Sequence, residues 1–307
     1  MNDQSRAYLY GISAVLLWST VATAFKLSLR HLEPIQLLFY ASIASLLVML
    51  AVLIRQGHLQ RLLRTPRRDL LLCATLGLLN PCIYYWVLFK AYDLLPAQEA
   101  QPLNYTWAIT LSILAVPLLK QHLRRLDLLA IGISYFGILV IATHGAPFTL
   151  RFSNGYGVLL ALGSTLIWSL FWIFNTRSRI EPVVGLFLNF LFAIPVIALI
   201  TWLTAGFGFD SIKGLYGAAY VGLFEMGITF VLWLKALRLT ESTAKVANLI
   251  FLSPILSLFL IHFIVGEDIH WSSGAGLLLI IAGNVLQQLG KPPAPPGKEE
   301  QQTRKTT

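Results

Sequence analysis

The chain has 307 residues, of which 56% are hydrophobic and only 12% charged, with a formal net charge of +9 and a mean hydropathy of +0.70. A soluble domain carries about twice that share of charge to build its polar skin, so an ordinary cytosolic enzyme, a disordered chain and a disulfide-stapled secreted protein are excluded. What remains is an all-α polytopic membrane protein.

In chain order, ten apolar stretches run over 7–29, 34–54, 69–89, 95–119, 126–143, 156–175, 183–204, 213–235, 243–264 and 270–289. A membrane span needs roughly 20 apolar residues. In hydrocarbon it must satisfy its own backbone hydrogen bonds, so each stretch is predicted to be helical. Pro34, Pro96 and Pro182 fall in or near first turns, where a missing N–H costs nothing. The first stretch is too long for a signal peptide and has no charged start or small-residue cleavage site. Cys73 and Cys82 sit nine apart on one stretch, face different ways and read as packing residues. The segment 291–307, rich in Pro, Lys, Glu and Gln, reads as a disordered cytoplasmic tail.

Orientation follows from the cations. With the N-terminus placed in the cytoplasm, the cytoplasmic segments hold 18 Lys and Arg and the opposite side holds 5. Under the positive-inside rule this puts both termini in the cytoplasm. It also accounts for the basic charge: no basic domain exists, and no nucleic-acid partner is expected.

The two halves repeat. Leu16-Leu17-Trp18-Ser19 matches Leu166-Ile167-Trp168-Ser169, Leu32-Glu33-Pro34 matches Ile180-Glu181-Pro182, and Lys90-Ala91 matches Lys235-Ala236, at offsets of 145 to 150. Two five-helix units are expected, over 7–143 and 156–289. Five is odd, so the second unit enters the membrane from the opposite side. Inverted repeats of this kind occur in secondary transporters, with the substrate site near the bilayer midplane.

Ten helices, paired repeats and the duplicated Trp-Ser resemble the EamA type of the drug/metabolite transporter superfamily. Ala236 with Ser242-Thr243-Ala244, then Pro254, Gly266-Glu267, Gly276 and Gly283, fit the same pattern. The aromatic richness is similar to the bacterial aromatic amino-acid exporter (YddG-like) branch. The resemblance implies a multi-pass inner-membrane exporter of aromatic and other neutral amino acids or related metabolites. The same fold also serves broad metabolite or drug exporters, and a channel is the alternative from another class. In the first repeat Ile109 stands where the second has Pro254. Its fourth helix is therefore expected to be the straighter one.

No catalytic set, phosphate loop or metal-ligand spacing occurs, so neither enzyme activity nor a cofactor is expected. The informative residues are polar groups within spans, because they are costly there. Glu225 is the acidic residue nearest the centre of a span, and its repeat mate at offset 145 is Asn80. Trp18 and Trp168 lie mid-span, away from the interfaces where Trp usually anchors. Gln101, Asn104 and Tyr105 share a helix face at i, i+3 and i+4, close to Trp107. Tyr84 follows Asn80 by one turn, and Asn248 opens the ninth span. These ten residues are the candidate substrate-binding set. Spans 1, 3, 4, 6, 8 and 9 are expected to surround the cavity, with 2, 5, 7 and 10 peripheral. Asn189 and Asn284 read as interhelical hydrogen-bonding residues, worth roughly 0.6 kcal/mol each. No strict GxxxG occurs, and a monomer is expected. Cysteines introduced as Arg61→Cys and Arg151→Cys should react with a membrane-impermeant thiol reagent from opposite sides; labelling from one side would overturn the topology.

Overall fold

The computed structural model describes residues 2–119, 125–149, 153–175, 180–240 and 248–289. The tail 291–307 lies outside the described residues. Every described element is helical: α1 (Asp3–Leu29), α2 (Pro34–Arg55), a short α3 (Leu59–Leu63), α4 (Arg67–Gly77), α5 (Tyr84–Leu94), α6 (Ala97–Asn104), α7 (Trp107–Leu119), α8 (Arg125–Ala142), α9 (Gly155–Asn175), α10 (Pro182–Thr204), α11 (Ile212–Phe224), α12 (Ile228–Leu239), α13 (Leu252–Leu260) and α14 (Trp271–Leu289). Wide π-type turns at Leu78–Ile83 and Ile261–Val265 and a tight turn at Asn248–Phe251 complete the set. Among the described residues six helical runs are long and apolar enough to cross a membrane: Asp3–Leu29, Pro34–Arg55, Arg67–Leu94, Gly155–Asn175, Pro182–Thr204 and Ile212–Trp233. Leu128–Ala142, Leu252–Val265 and Trp271–Leu286 are shorter apolar helices.

The repeated Glu-Pro pairs are helix starts. Proline at the first position of α2 and α10 costs no hydrogen bond. Gln36 Oε1 accepts from the Glu33 amide at 3.0 Å, and Glu181 Oε2 accepts from the Val184 amide at 2.9 Å. Large apolar side chains such as Leu9, Leu47, Leu159 and Leu203 point outward, as a lipid-facing surface requires. Trp202, Tyr216 and Trp271 are exposed near helix ends, where amphipathic rings anchor.

Several helices break partway along. Between α4 and α5, Asn80 leaves helical geometry at φ −146°, ψ 116°. Between α11 and α12, the Met226 amide reaches back to Val221 O at 3.3 Å, and the Thr229 hydroxyl takes Phe224 O, a carbonyl freed by the break. The fourth stretch, expected to be straighter than its counterpart with Pro254, is also broken. The Thr106 amide bonds Leu103 O at 3.3 Å in a tightened turn, and the Thr106 hydroxyl donates to the same carbonyl at 2.7 Å. Pro102 within α6 has no N–H for the Gln98 carbonyl, and the Thr106 hydroxyl competes for Leu103 O, so this stretch bends without any proline at 109.

Packing crosses between the halves. α1 lies against α11, α12 and α13, while α9 lies against α5, α6 and α7. On the outside α2 packs on α10, and α8 pairs with α14. The last pair meets backbone to backbone. A Cβ on Gly276 would lie 2.5 Å from Gly137 O and 2.4 Å from Ile141 Cγ1, and one on Gly283 would lie 2.0 Å from Ser134 Oγ. Small residues permit this approach where lipid supplies no hydrophobic drive. Asn189, in the amide orientation that satisfies both groups, donates to Gly185 O and Cys73 O at 3.0 Å each, joining α10 to α4. Gly276→Ala should force α8 and α14 apart and cost about 1–3 kcal/mol, lowering the unfolding temperature in detergent. Gly163→Ala, whose Cβ meets nothing within 4 Å, should be neutral or mildly stabilising.

Candidate substrate-binding site

A cavity of about 190 Å³ opens where the broken helices meet. Its wall takes Trp18 from α1, Tyr84 from α5, Gln101 and Asn104 from α6, Tyr105 from the turn that follows, and Trp107 from α7. Trp168 of α9 and Glu225 at the α11–α12 junction complete the expected residues present in the wall. Asn80 is not among them. It is buried in the α4–α5 break, and the change of backbone geometry there takes it off the face that Tyr84 presents. The Asn248 side chain lies outside the described residues; Ile250, two positions on, lines the cavity.

The aromatic wall is continuous. The Trp168 ring lies 4.6 Å from Tyr84 and 5.8 Å from Trp172. Phe230 stands 6.1 Å from both Trp18 and Trp168, and Trp233 is 5.3 Å from Trp18. Phe230 therefore bridges the two tryptophans that sequence symmetry pairs. These are offset and edge-to-face arrangements, the favourable ones for rings.

The polar groups are held from several helices. Tyr85 donates to Glu225 Oε1 at 3.1 Å, tying α5 to the α11–α12 break. Asn104 Nδ2 donates to Ser164 Oγ of α9 at 2.9 Å and lies 3.4 Å from the Tyr84 hydroxyl. Tyr105 donates to Ser253 Oγ of α13 at 2.9 Å. Ser169, the serine of the second Trp-Ser pair, donates to Trp107 O at 3.1 Å, just past the α6–α7 break. Ser19, its repeat mate, bonds Leu16 O within its own helix at 2.6 Å.

Among the described lining residues Glu225 is the one with a charged side chain. Gln101 Oε1 and Asn284 Oδ1 are buried acceptors with no hydrogen-bond partner, and Trp172 Nε1 is a donor in the same position. Asn284, expected only to join helices, thus faces the cavity from α14. Phe25, Tyr92, Trp172, Phe230 and Trp233 are lining residues that were not expected. Trp172 was within reach of sequence reasoning, since it follows Trp168 by one turn. Trp233 was not, because the break at residues 225–227 resets the facing of α12.

A profile of the EamA-like transporter family matches the chain twice, over residues 5–143 and 155–287. The chain belongs to this family. An uncharacterized transporter of Clostridium kluyveri is 24% identical over 294 residues, covering 92% of each chain. One from Archaeoglobus fulgidus is 23% identical over 92% of this chain and 97% of its own. Protein RarD of Streptomyces exfoliatus is 30% identical over 152 residues, 48% of this chain and 47% of its own. A solved crystal structure aligns with a TM-score of 0.66 at 22% identity, over 93% of this chain and 97% of that one, which shows the fold alone. The molecule is an EamA-type, multi-pass membrane transporter. Trp168→Ala removes a ring in contact with Tyr84 and Trp172 and should weaken binding of an aromatic solute about tenfold, read as tryptophan-fluorescence titration. Expression should stay near normal, because the ring faces a cavity.

Proposed function

We propose that this EamA-family transporter exports aromatic and other neutral amino acids, or related metabolites, across a bacterial inner membrane, working as a monomer by alternating access. The observation that carries the reading is the cavity wall: flat aromatic surfaces with one carboxylate and two unpartnered amide oxygens. Rings of the substrate stack on Trp168 and Trp18. Its ammonium group is placed by Glu225, with the Gln101 and Asn284 amides beside it, and a ring cation–π contact adds to this. An apolar cavity of about 150 Å³ holds a benzene ring, so about 190 Å³ suits one ring with a few further atoms.

Ten spans in two inverted repeats, 7–143 and 156–289, are part of the same proposal. The duplicate profile match, the exchange of α1 and α9 between halves, and paired helix breaks at Asn80 and Glu225 support it. Inverted repeats with broken helices at a midplane site are the arrangement that lets a carrier face each side in turn.

A second reading, a broader exporter of aromatic amines and drugs, is favoured by one observation. None of the described lining residues is Lys or Arg, so a substrate carboxylate would depend on Trp172 Nε1 and amide N–H groups. Counterflow in proteoliposomes with labelled tryptophan, phenylalanine and tryptamine separates the readings. Saturable tryptophan exchange is the expected result; tryptamine exchange with no response to either amino acid would move the assignment to amines, and unsaturable flux would indicate a channel.

Glu225 is read as a fixed ligand and not as a proton carrier, since among the described residues no His or Arg shares the cavity wall with it. Glu225→Gln keeps its shape and most of its hydrogen bonding. Losing the charge on an ammonium contact should weaken apparent affinity by about tenfold. Exchange should remain indifferent to an imposed pH gradient, as in the unaltered protein. A wild-type response to the gradient that disappears in the variant would make Glu225 a coupling group.

A further inference from the structure

One end of the bundle carries a polar contact that the cavity does not use. After α13 the chain makes the wide turn Ile261–Val265 and reverses at Gly266, whose φ of +81° favours glycine. The reversal aims Glu267 at the N-terminus of α6. Glu267 Oε1 accepts from the Ala97 amide at 2.9 Å and Oε2 from the Gln98 amide at 3.2 Å. Those amides belong to a first helical turn and have no partner within the helix. A carboxylate there gains both charge-assisted hydrogen bonds and the helix dipole.

Gln98 closes the contact from the other side. Its Nε2 donates to Asp268 O at 2.7 Å, and its Oε1 accepts from the His270 amide at 2.9 Å and from Ser273 Oγ at 3.0 Å. Next to it the buried Glu99 accepts from Ser153 Oγ at 2.6 Å and lies 3.2 Å from His144 Nε2. Arg30 donates to Val265 O at 2.9 Å. Residues 97–99 and Arg30 fall in the first family match; residues 265–273 fall in the second.

We propose that Glu267 and Gln98 form a clasp on the non-cytoplasmic side that must open in each transport cycle, and that they are positioning residues for the site. This rests on the alternating-access reading above. Two features support the role. The contact is polar and Glu267 is half-buried, so water can replace its bonds when the halves part, which is not true of tight apolar packing. And α6 runs from the clasp straight into the cavity. Gln101 comes one turn after Gln98, and Asn104 and Tyr105 follow, so moving the start of α6 moves the groups that face the substrate.

The test uses the full chain with Cys73 and Cys82 replaced by Ala and a single reporter, Ala22→Cys, on the cavity wall. In spheroplasts, which present the non-cytoplasmic face, a membrane-impermeant thiol reagent is added. Glu267→Gln leaves one acceptor for two amides. It should raise the reporter's labelling rate at least about tenfold, as should Gln98→Ala, because each variant removes hydrogen bonds that hold the closed state. Elution as a single peak by size exclusion confirms folding of each variant. In a second arm without the reporter, Gln98→Cys with Ser273→Cys is bridged by a short bis-methanethiosulfonate, which forms a disulfide with each cysteine and releases methanesulfinate. Tryptophan counterflow should fall at least about tenfold and return on reduction. A reporter rate within about twofold of the parent in both variants, or full counterflow by the bridged protein, overturns the clasp. If labelling responds as expected but no version of the protein, bridged or not, exchanges tryptophan, the clasp stands and the amino-acid substrate assignment fails.

Discussion

Hydrocarbon offers a peptide group no hydrogen-bond partner, and each group left unsatisfied there costs several kcal/mol. A helix crossing the membrane can therefore break only where other parts of the protein, or a hydrated cavity, take over the freed groups. The breaks at Thr106 and at Glu225–Gly227 obey this constraint. The Thr106 and Thr229 hydroxyls cover carbonyls of their own helices, and Ser169 of α9 reaches across to Trp107 O. With backbone and side chains turned inward at these points, the cavity has both its shape and its polar lining. The cavity is thus a consequence of where the bundle tolerates irregular backbone.

Three kinds of contact divide the work. The α8–α14 pair is held by close backbone approach at Gly137, Gly276 and Gly283, a contact without slack. Around the cavity, helices from the two family matches are joined by single hydrogen bonds, Tyr85 to Glu225 and Tyr105 to Ser253. Where Glu267 meets the start of α6 the joint is a cluster of charge-assisted bonds to a helix start. Dense van der Waals packing suits parts that stay together, whereas hydrated polar contacts suit parts that separate and rejoin.

The chemistry of the wall is lopsided. Among the described wall residues the buried unpartnered groups are two amide oxygens and one indole N–H, and the one acidic side chain is that of Glu225. Under the proposed function, such a wall suits a solute that brings its own N–H groups and a flat ring. Lys26, the cation nearest in sequence to the wall residues of α1, is already engaged: its Nζ donates to Tyr92 O at 2.7 Å and Leu95 O at 2.8 Å, closing the C-terminal end of α5.

From the sequence alone, the membrane class, the helical character of the apolar stretches, a doubled pattern that the family profile also matches twice, and eight of the eighteen wall residues were legible. Charge content and apolar run length are local quantities, and the cost of placing Glu225, Gln101 or Asn104 in lipid marks them wherever the chain goes. Trp18 and Trp168 were legible because duplication singles them out. Tertiary structure decided the rest. Beside the helix breaks, distant partners meet, such as Ser169 and Trp107, 62 residues apart, which no local pattern announces. Those breaks turned Asn80 away from the cavity and Trp233 toward it. Asn284 was visible as a costly amide, yet only packing decides whether such a group faces a neighbouring helix or the substrate. Gly266-Glu267 was visible as a motif, but its partner is the start of a helix 170 residues earlier. Composition and periodicity report what each segment must avoid, namely water or lipid in the wrong place; which distant groups meet depends on how the helices pack together.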